Sequence, residues 1–430
     1  MVQPDVLSDP FAFLDRLFAA AVAAVQPSPK LAAYFPPPPR GRLIVLGAGK
    51  AAAALAAAAE AHYTVAIEGL VIVPEGYARP CSRIAVVEAA HPVPDARGHA
   101  AAAHILQLAQ SAGPDDLVLC LISGGASALM SLPAPGVTLA DKRAVTAALL
   151  RSGAAIGEIN CVRKHLSAIK GGRLAAAAAP APVVSLVVSD VVGDDPSVIA
   201  SGPTVLDTTT CADALAVLDK YQIPISPDVR AKLLKGTLET PKAGLSHAKV
   251  HIVARPGDAF AAAAAVVRAK GLQVLDLGDG CEGEARTAAA VQAALVESIV
   301  SGTGPVKPPC VILSGGEFTV TMTGDGRGGP NTEFALALAL QLKEHEQVWA
   351  LAADTDGRDG AADAAGARIG PATLRRALNF GLDPVVALSR NDSAGIFRAL
   401  GDLVDPGPTY TNVNDFRAIL VLPPPDTSMC

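Results

Sequence analysis

Short apolar runs separated by amphipathic stretches set the reading of this chain. Runs at 42–46, 117–122, 183–188, 250–254, 273–277, 311–313 and 348–353 are strand-like, and most stop at a cluster of Gly, Ser or Asp. Between them, 9–26, 51–62, 98–112, 141–157, 258–270, 284–301 and 334–342 carry apolar residues at helical spacing. Shorter strands are expected at 65–67, 70–73, 84–87 and 318–323, helices at 211–220 and 227–236, and a last strand at 417–422. Strands alternating with helices predict an α/β protein of two three-layer α/β/α domains with mostly parallel, Rossmann-like sheets. The β-branched run 183–188 reads as a central parallel strand. Residues 237–248 read as a linker, which gives an N-terminal domain over 1–240 and a C-terminal domain over 247–430. Ligands of such sheets sit beyond the carboxyl ends of the strands. The turns that follow the strands are therefore expected to meet in a cleft between the domains.

Composition narrows the classes. The chain has 430 residues, half of them hydrophobic and only 4% aromatic, so its cores are built from Ala, Val and Leu. A formal charge of −6 and the absence of a dense Lys/Arg run argue against a nucleic-acid face and against a basic membrane patch. The first ten residues lack a basic segment followed by an apolar core, so no secretory signal is expected there. The longest apolar stretch is broken by Pro180 and Pro182 and is too short to span a bilayer. Seven cysteines, at 81, 120, 161, 211, 281, 310 and 430, form no C-x-x-C pair. They suit reduced thiols, and a cytoplasmic location is the expectation.

The chemistry-bearing stretches all follow strands. Residues 311–334 run from an apolar strand end through Ser314-Gly315-Gly316-Glu317 to a glycine-rich loop, Gly324-Asp-Gly-Arg327-Gly-Gly-Pro330-Asn331. Such a loop can aim backbone N–H groups at an anion, with Arg327 as a forked donor; it can equally be a long hairpin turn. Gly47-Ala-Gly49-Lys50-Ala-Ala52 fits G-x-G-x-x-A, with Glu68 about twenty residues on, as a dinucleotide fingerprint requires. A lysine at the fourth position also suits a transferring phosphoryl group, and a plain tight turn is a third reading. Ser123-Gly124-Gly125-Ala-Ser127 repeats the strand-Ser-Gly-Gly pattern of 311–316. Ser189-Asp190 and Gly193-Asp194-Asp195 place three carboxylates at a strand end, either as a cap and solvated turn or as an acid/base and Mg²⁺ ligand set. Asp354, Asp356 and Asp359 share that ambiguity. Arg163, Lys164, Lys170 and Arg173 make the most basic part of the chain, as a solvated helix face or as anion contacts. His91 lies between a strand and two prolines and reads more readily as structural. No Ser/His/Asp or Cys/His arrangement is legible, and nothing has zinc spacing.

Taken together, these motifs resemble the glycerate 2-kinase family, whose C-terminal half is called the MOFRL domain. The resemblance spans nearly the whole chain. It rests on Gly47-Ala-Gly-Lys50, His91-Pro-Val-Pro-Asp95, Ile122-Ser-Gly-Gly-Ala-Ser-Ala-Leu129, Asn160-Cys-Val-Arg-Lys-His-Leu-Ser167 and Lys170-Gly-Gly-Arg-Leu174. It continues through Ser189-Asp-Val-Val-Gly-Asp194, Ser201-Gly-Pro-Thr204, Ser314-Gly-Gly-Glu317, Thr355-Asp-Gly-Arg-Asp-Gly360 and Gly407-Pro-Thr-Tyr-Thr-Asn-Val-Asn414-Asp415. The resemblance implies ATP- and Mg²⁺-dependent phosphorylation of glycerate to 2-phosphoglycerate. Members are also labelled hydroxypyruvate reductases, so an NAD(P)H-dependent reductase is the alternative.

The family's lysine after the first glycine turn maps to Lys50 and its Ser-Asp-Val aspartate to Asp190. Its glycine loop often reads Gly-Gly-Arg-Asn-Gln-Glu; here Pro330 stands at the arginine and Thr332 at the glutamine, so Arg327 is expected to carry the cationic role. On this reading Lys50, Asp190 and Arg327 are catalytic. Substrate and phosphate contacts are expected from Gly47, Gly49, Ser123, Gly124, Gly125, Ser127, Arg163, Lys170, Ser314, Gly315, Gly316, Glu317, Asn331, Asn414 and Asp415. Asp194 and Asp356 are the candidate Mg²⁺ ligands. The partners expected are small molecules, glycerate and ATP, without nucleic acid or membrane, and a homo-oligomer is compatible with the sequence.

Overall fold

In a computed structural model the described residues are Val6, 8–26, 29–343 and 345–424; Cys430 lies outside them. The chain forms two compact units, Pro27–Ala254 and Met1–Gln26 with Arg255–Cys430. Strands of the first unit are β1 (Leu43–Ala48), β2 (Ile67–Pro74), β3 (Ala85–Ala89), β4 (Leu117–Ile122), β5 (Val183–Val188) and β6 (Ala248–Ala254). They pair in the order β3-β2-β1-β4-β5-β6, every pair parallel. All six positions of β1, β4 and β5 are buried, as continuous apolar runs in a parallel sheet covered on both faces must be. The strand order reverses between β1 and β4, so the ends of those two strands form the topological switch point where such sheets bind ligands.

A helical lobe completes this unit. Helices Leu139–Arg151, Ile156–His165, Cys211–Lys220 and Pro227–Leu234 enclose a core that includes Val145, Leu149, Val162, Leu218 and Leu233. The expected single helix over 141–157 is thus two, broken at 152–155.

The second unit holds β7 (Gln273–Asp276), β8 (Gly283–Glu284), β9 (Cys310–Ser314), β10 (Phe318–Thr319), β11 (Val348–Asp354), β12 (Gly366–Ile369), β13 (Leu403–Val404) and β14 (Asp415–Val421). Its six-stranded sheet, β13-β12-β11-β14-β9-β7, is mixed: only β7 and β9 are parallel neighbours, and every other pair is antiparallel. The mostly parallel sheet expected here therefore holds for the first unit alone. A parallel neighbour needs a crossover, which helix Ala285–Val300 provides between β7 and β9. Between β11 and β12 the chain has only the turn-rich segment 355–365, and β12 returns antiparallel.

Two boundaries differ from the sequence reading. Strand β6 pairs with β5 from Val183↔Ala248 onward and closes the first sheet instead of opening the second domain. Helix Pro10–Val25 belongs with the second unit: Phe18 meets Phe416 at 6.0 Å between ring centroids, Asp15 pairs with Arg368 at 2.6 Å, and Thr411 Oγ1 donates to the Val25 carbonyl at 2.8 Å. Among the described residues no helix is long and apolar enough to cross a membrane, and Cys81, Cys120, Cys161, Cys211, Cys281 and Cys310 are free thiols.

Candidate active site

At the switch point the turns after β1 and β4 interlock. The N–H groups of Gly49, Lys50 and Ala51 donate to the Ile72 carbonyl (3.0 Å), the Gly124 carbonyl (2.9 Å) and Ser123 Oγ (2.9 Å). A Cβ on Gly49 would fall 2.3 Å from Ser123 Oγ, and one on Gly47 would fall 2.2 Å from the Leu121 carbonyl. These glycines let two strand ends approach closely, and the donors that a pyrophosphate would need are already bonded to protein. Glu68, the acid required by the dinucleotide reading, sits opposite Ile44 near the start of β2 and pairs with Arg42 at 2.6 Å. The acid that does follow β2, Glu75, is exposed and bonded to Arg97.

The second turn is built differently. Gly125 adopts φ 85°, and a Cβ there would meet His91 Nε2 at 3.0 Å. The N–H groups of Gly124 and Gly125 take no protein acceptor among the described residues. Ser127 Oγ lies 2.9 Å from Ser201 Oγ and accepts from Lys170 Nζ at 3.2 Å; Lys170 Nζ also donates to the Ala200 carbonyl at 3.1 Å, and Ser201 Oγ to Asn160 Oδ1 at 3.0 Å. Ala200 and Ser201 hold φ of 54° and 60°, a left-handed pair without glycine, which is the kind of strain that clusters at functional sites. Lys170 is wholly buried, and desolvation, then the Lys142 and Arg163 charges, holds its pKa far below the usual lysine range.

Asp190, just past β5, has its pKa raised by desolvation and drawn back by the charge of Lys50. Lys50 and Asp190 are thus electrostatic neighbours across the end of β4. Asp194 follows in a tight turn, φ 54°, with its N–H on the Val191 carbonyl at 3.1 Å. Of the basic stretch, Lys164 is fixed by buried Asp207 at 3.2 Å, and Arg173 donates to the carbonyls of Lys164 (2.8 Å) and Leu238 (2.6 Å). Arg163 and Lys170 instead face a cavity together with Lys142, which the sequence reading passed over. The signal was there: Lys142, Val145 and Leu149 share the inward face of one helix, and a lysine in an apolar stripe is unusual. Nearby, His165, Cys211 and Glu239 bring one donor atom each within 4.8 Å of one another, a grouping without zinc spacing in the sequence.

In the other unit, Ser314-Gly315-Gly316 ends β9, Asp354 ends β11 and Asp415 opens β14 opposite Asp354. Asp415 accepts from Asn331 Nδ2 at 2.6 Å and from the guanidinium of Arg417, whose Nη1 donates to the Gly315 carbonyl at 2.8 Å. The Arg417 guanidinium lies 3.5 Å from the centroid of the Phe318 ring. The glycine loop leads into helix Pro330–Leu342, yet the first N–H groups of that helix are occupied. Asp359 accepts from the N–H of Asn331 (2.9 Å), the N–H of Thr332 (2.8 Å) and Thr332 Oγ1 (2.8 Å). Burial pushes the Asp359 carboxyl up to about 7 against those bonds, with the Asp415 charge adding to the rise. The anion expected at this helix start is therefore supplied by the protein itself. Arg327 is 64% exposed and lies 3.8 Å from Asp363. Glu317 is exposed, and the Asn414 carbonyl accepts from Thr355 Oγ1 at 2.7 Å. Asp356 is buried, with Oδ1 accepting from the Arg358 N–H at 2.6 Å.

Residues 13–234 match the family described as a domain of unknown function (DUF4147), and 310–415 match the MOFRL family. The chain is 53% identical to an Agrobacterium vitis protein provisionally named hydroxypyruvate reductase, over 95% of this chain and 94% of that one. It is 40% identical to D-glycerate 2-kinase of Thermotoga maritima, over 83% of this chain and 84% of that one. A crystal structure of a Thermotoga maritima glycerate kinase matches with a TM-score of 0.85 at 38% identity, covering 97% of this chain and all of that one. The chain belongs to the MOFRL, or glycerate 2-kinase, family.

Proposed function

We propose that this protein is a glycerate 2-kinase, moving the γ-phosphoryl of ATP to the 2-hydroxyl of glycerate to give 2-phosphoglycerate. One contrast carries the reading. The glycine turn that would hold a dinucleotide has its N–H groups bonded to protein, whereas the Ser123–Ser127 turn keeps donors open beside Lys170. Phosphoryl transfer asks for positioning and charge neutralisation more than covalent chemistry, and a site of open N–H groups and cations provides both. Asp190, its pKa raised by desolvation, takes the hydroxyl proton as the substrate oxygen attacks phosphorus and ADP leaves. Lys50 neutralises charge developing on the phosphoryl oxygens. Arg327, exposed and weakly paired, is assigned the second cationic role.

Asp194 or Asp356 would hold Mg²⁺, since carboxylate oxygens are its preferred protein ligands. When bound, the ion neutralises the phosphates of the nucleotide. The names of the Agrobacterium relatives favour a second reading, reduction of hydroxypyruvate with NADH or NADPH. The purified protein with glycerate and MgATP should release ADP and 2-phosphoglycerate, read by a coupled assay and by identifying the phosphoglycerate isomer. Oxidation of NAD(P)H with hydroxypyruvate, without ADP release from glycerate and MgATP, would overturn the proposal.

A further inference from the structure

Helix Leu139–Arg151 starts in a capping box of Thr138 and Asp141 and turns Lys142, Val145 and Leu149 inward. Val145 and Leu149 fill the helical lobe. Lys142 does not: it is 5% exposed, and its Nζ has no hydrogen-bond partner among the described residues. With Arg163, Lys170 and the exposed Arg143 it lines a cavity of about 200 Å³, bounded also by Pro92, Pro94 and Ser127. Among the described residues lining it there is no carboxylate. Burial, then the charges of Arg163 and Arg173, pushes Lys142 down to about 7. Burying one cation without a partner is costly, and grouping three multiplies the cost by like-charge repulsion. Lys164, on the next helix of the lobe, shows the ordinary remedy, a buried carboxylate, whereas Lys170 has only the Ala200 carbonyl and Ser127 Oγ as partners. An uncompensated cluster of this kind is retained where a bound anion relieves it.

We propose that this cavity binds a small oxyanion and that Lys142, beside Arg163 and Lys170, is a cation of the site, holding the carboxylate of the acid substrate. The oxyanion site stands on the cavity alone; the assignment to a glycerate carboxylate rests on the kinase reading. At about 200 Å³ the cavity has room for a three-carbon acid. Ser127 joins the cavity to the Gly124-Gly125 turn, so an acid bound here carries its hydroxyl toward that turn. A carboxylate and a terminal phosphate offer the same oxygens, and the experiment separates them.

Full-length wild type and Lys142→Met are titrated calorimetrically with glycerate, glycerol, inorganic phosphate and ATP, without turnover. Wild type should bind glycerate and not glycerol. Lys142→Met should lose about tenfold or more in glycerate affinity, the usual scale for a charge-assisted contact. Under turnover, KM for glycerate should rise by a similar factor with KM for ATP unmoved. Melting temperature should hold or rise, because an unpaired buried cation is gone; a merely structural lysine would lower it. Lys142→Arg should restore binding, and Arg163→Gln, from a half-buried position, gives the same reading should the methionine variant misfold. A rise in KM for ATP instead of glycerate would keep the oxyanion site and overturn the carboxylate assignment. Unchanged affinities for both glycerate and phosphate would overturn the site itself. The binding arm needs no turnover, so an inactive wild type would sink the kinase reading and leave this one decidable.

Discussion

Asp190 and Lys50 act on each other through charge, and that coupling gives the proposed catalytic pair a test that two structural residues would fail. Desolvation raises the Asp190 pKa and Lys50 offsets part of the rise. A general base works best when its pKa approaches the working pH, and removing a neighbouring cation moves a carboxyl further up. Activity that needs the Asp190 carboxylate grows as pH rises through that pKa, so in Lys50→Met the acid limb of kcat/KM should lie at higher pH than in wild type. The same change should lower kcat by about 10²–10³, as loss of one preorganised donor does. Asp190→Asn should remove the limb altogether and cut kcat far more than it raises KM. Circular dichroism and melting should show both variants folded; an unshifted acid limb in Lys50→Met would break the assignment. The sequence placed both residues at strand ends but gave no sign of their coupling, which depends on β1 and β5 flanking β4.

At the scale of elements, the glycine loop and the helix it feeds show what a motif can and cannot reveal. The sequence announced a flexible loop before a helix, an arrangement that binds anions at the exposed N–H groups. It could not announce that Asp359, from the turn after β11, reaches those N–H groups first. Strands β12 and β13 went unread for a related reason: Gly366–Ile369 is short and has no alternation to mark it as a strand. Lys142 was legible by its phase on a helix, and only a lysine's usual place at the surface hid it.

The division of labour predicts opposite phenotypes for two substitutions near this loop. Asp359→Ala removes a buried cap that accepts four hydrogen bonds, where an ordinary cap is worth about 0.5–2 kcal/mol, so melting temperature should fall measurably. Arg327→Ala removes an exposed side chain whose ion pair is long, so stability should stay within about 0.5 kcal/mol while kcat falls. An active, unaltered Arg327→Ala would move the cationic role elsewhere, with Arg163 or Lys170 next in line.

At the scale of the molecule, the chain leaves one unit after Gln26 and returns to it at Arg255, so its first helix folds with a partner more than two hundred residues away. The amphipathic pattern of Pro10–Val25 was plain in the sequence; its partner was not, because periodicity says which face is buried and never against what. That face buries Phe13, Leu14, Leu17, Phe18 and Val25, each worth roughly 1.5–3 kcal/mol relative to exposure. It packs on helix Pro256–Ala269, where Phe260 stacks on Phe416 at 5.7 Å between ring centroids, and Phe416 also touches Phe18. Deleting residues 1–26 would therefore bare an aromatic face of the C-terminal unit and leave the parallel sheet covered. Native-state hydrogen exchange on the shortened protein should quicken across 256–269 and 415–421. Protection in β1, β4 and β5 should stay near its full-length level, because their own six-stranded sheet and its helices remain intact. Equal loss of protection in both sheets would show that the first helix stabilises the whole chain and not the unit it packs against.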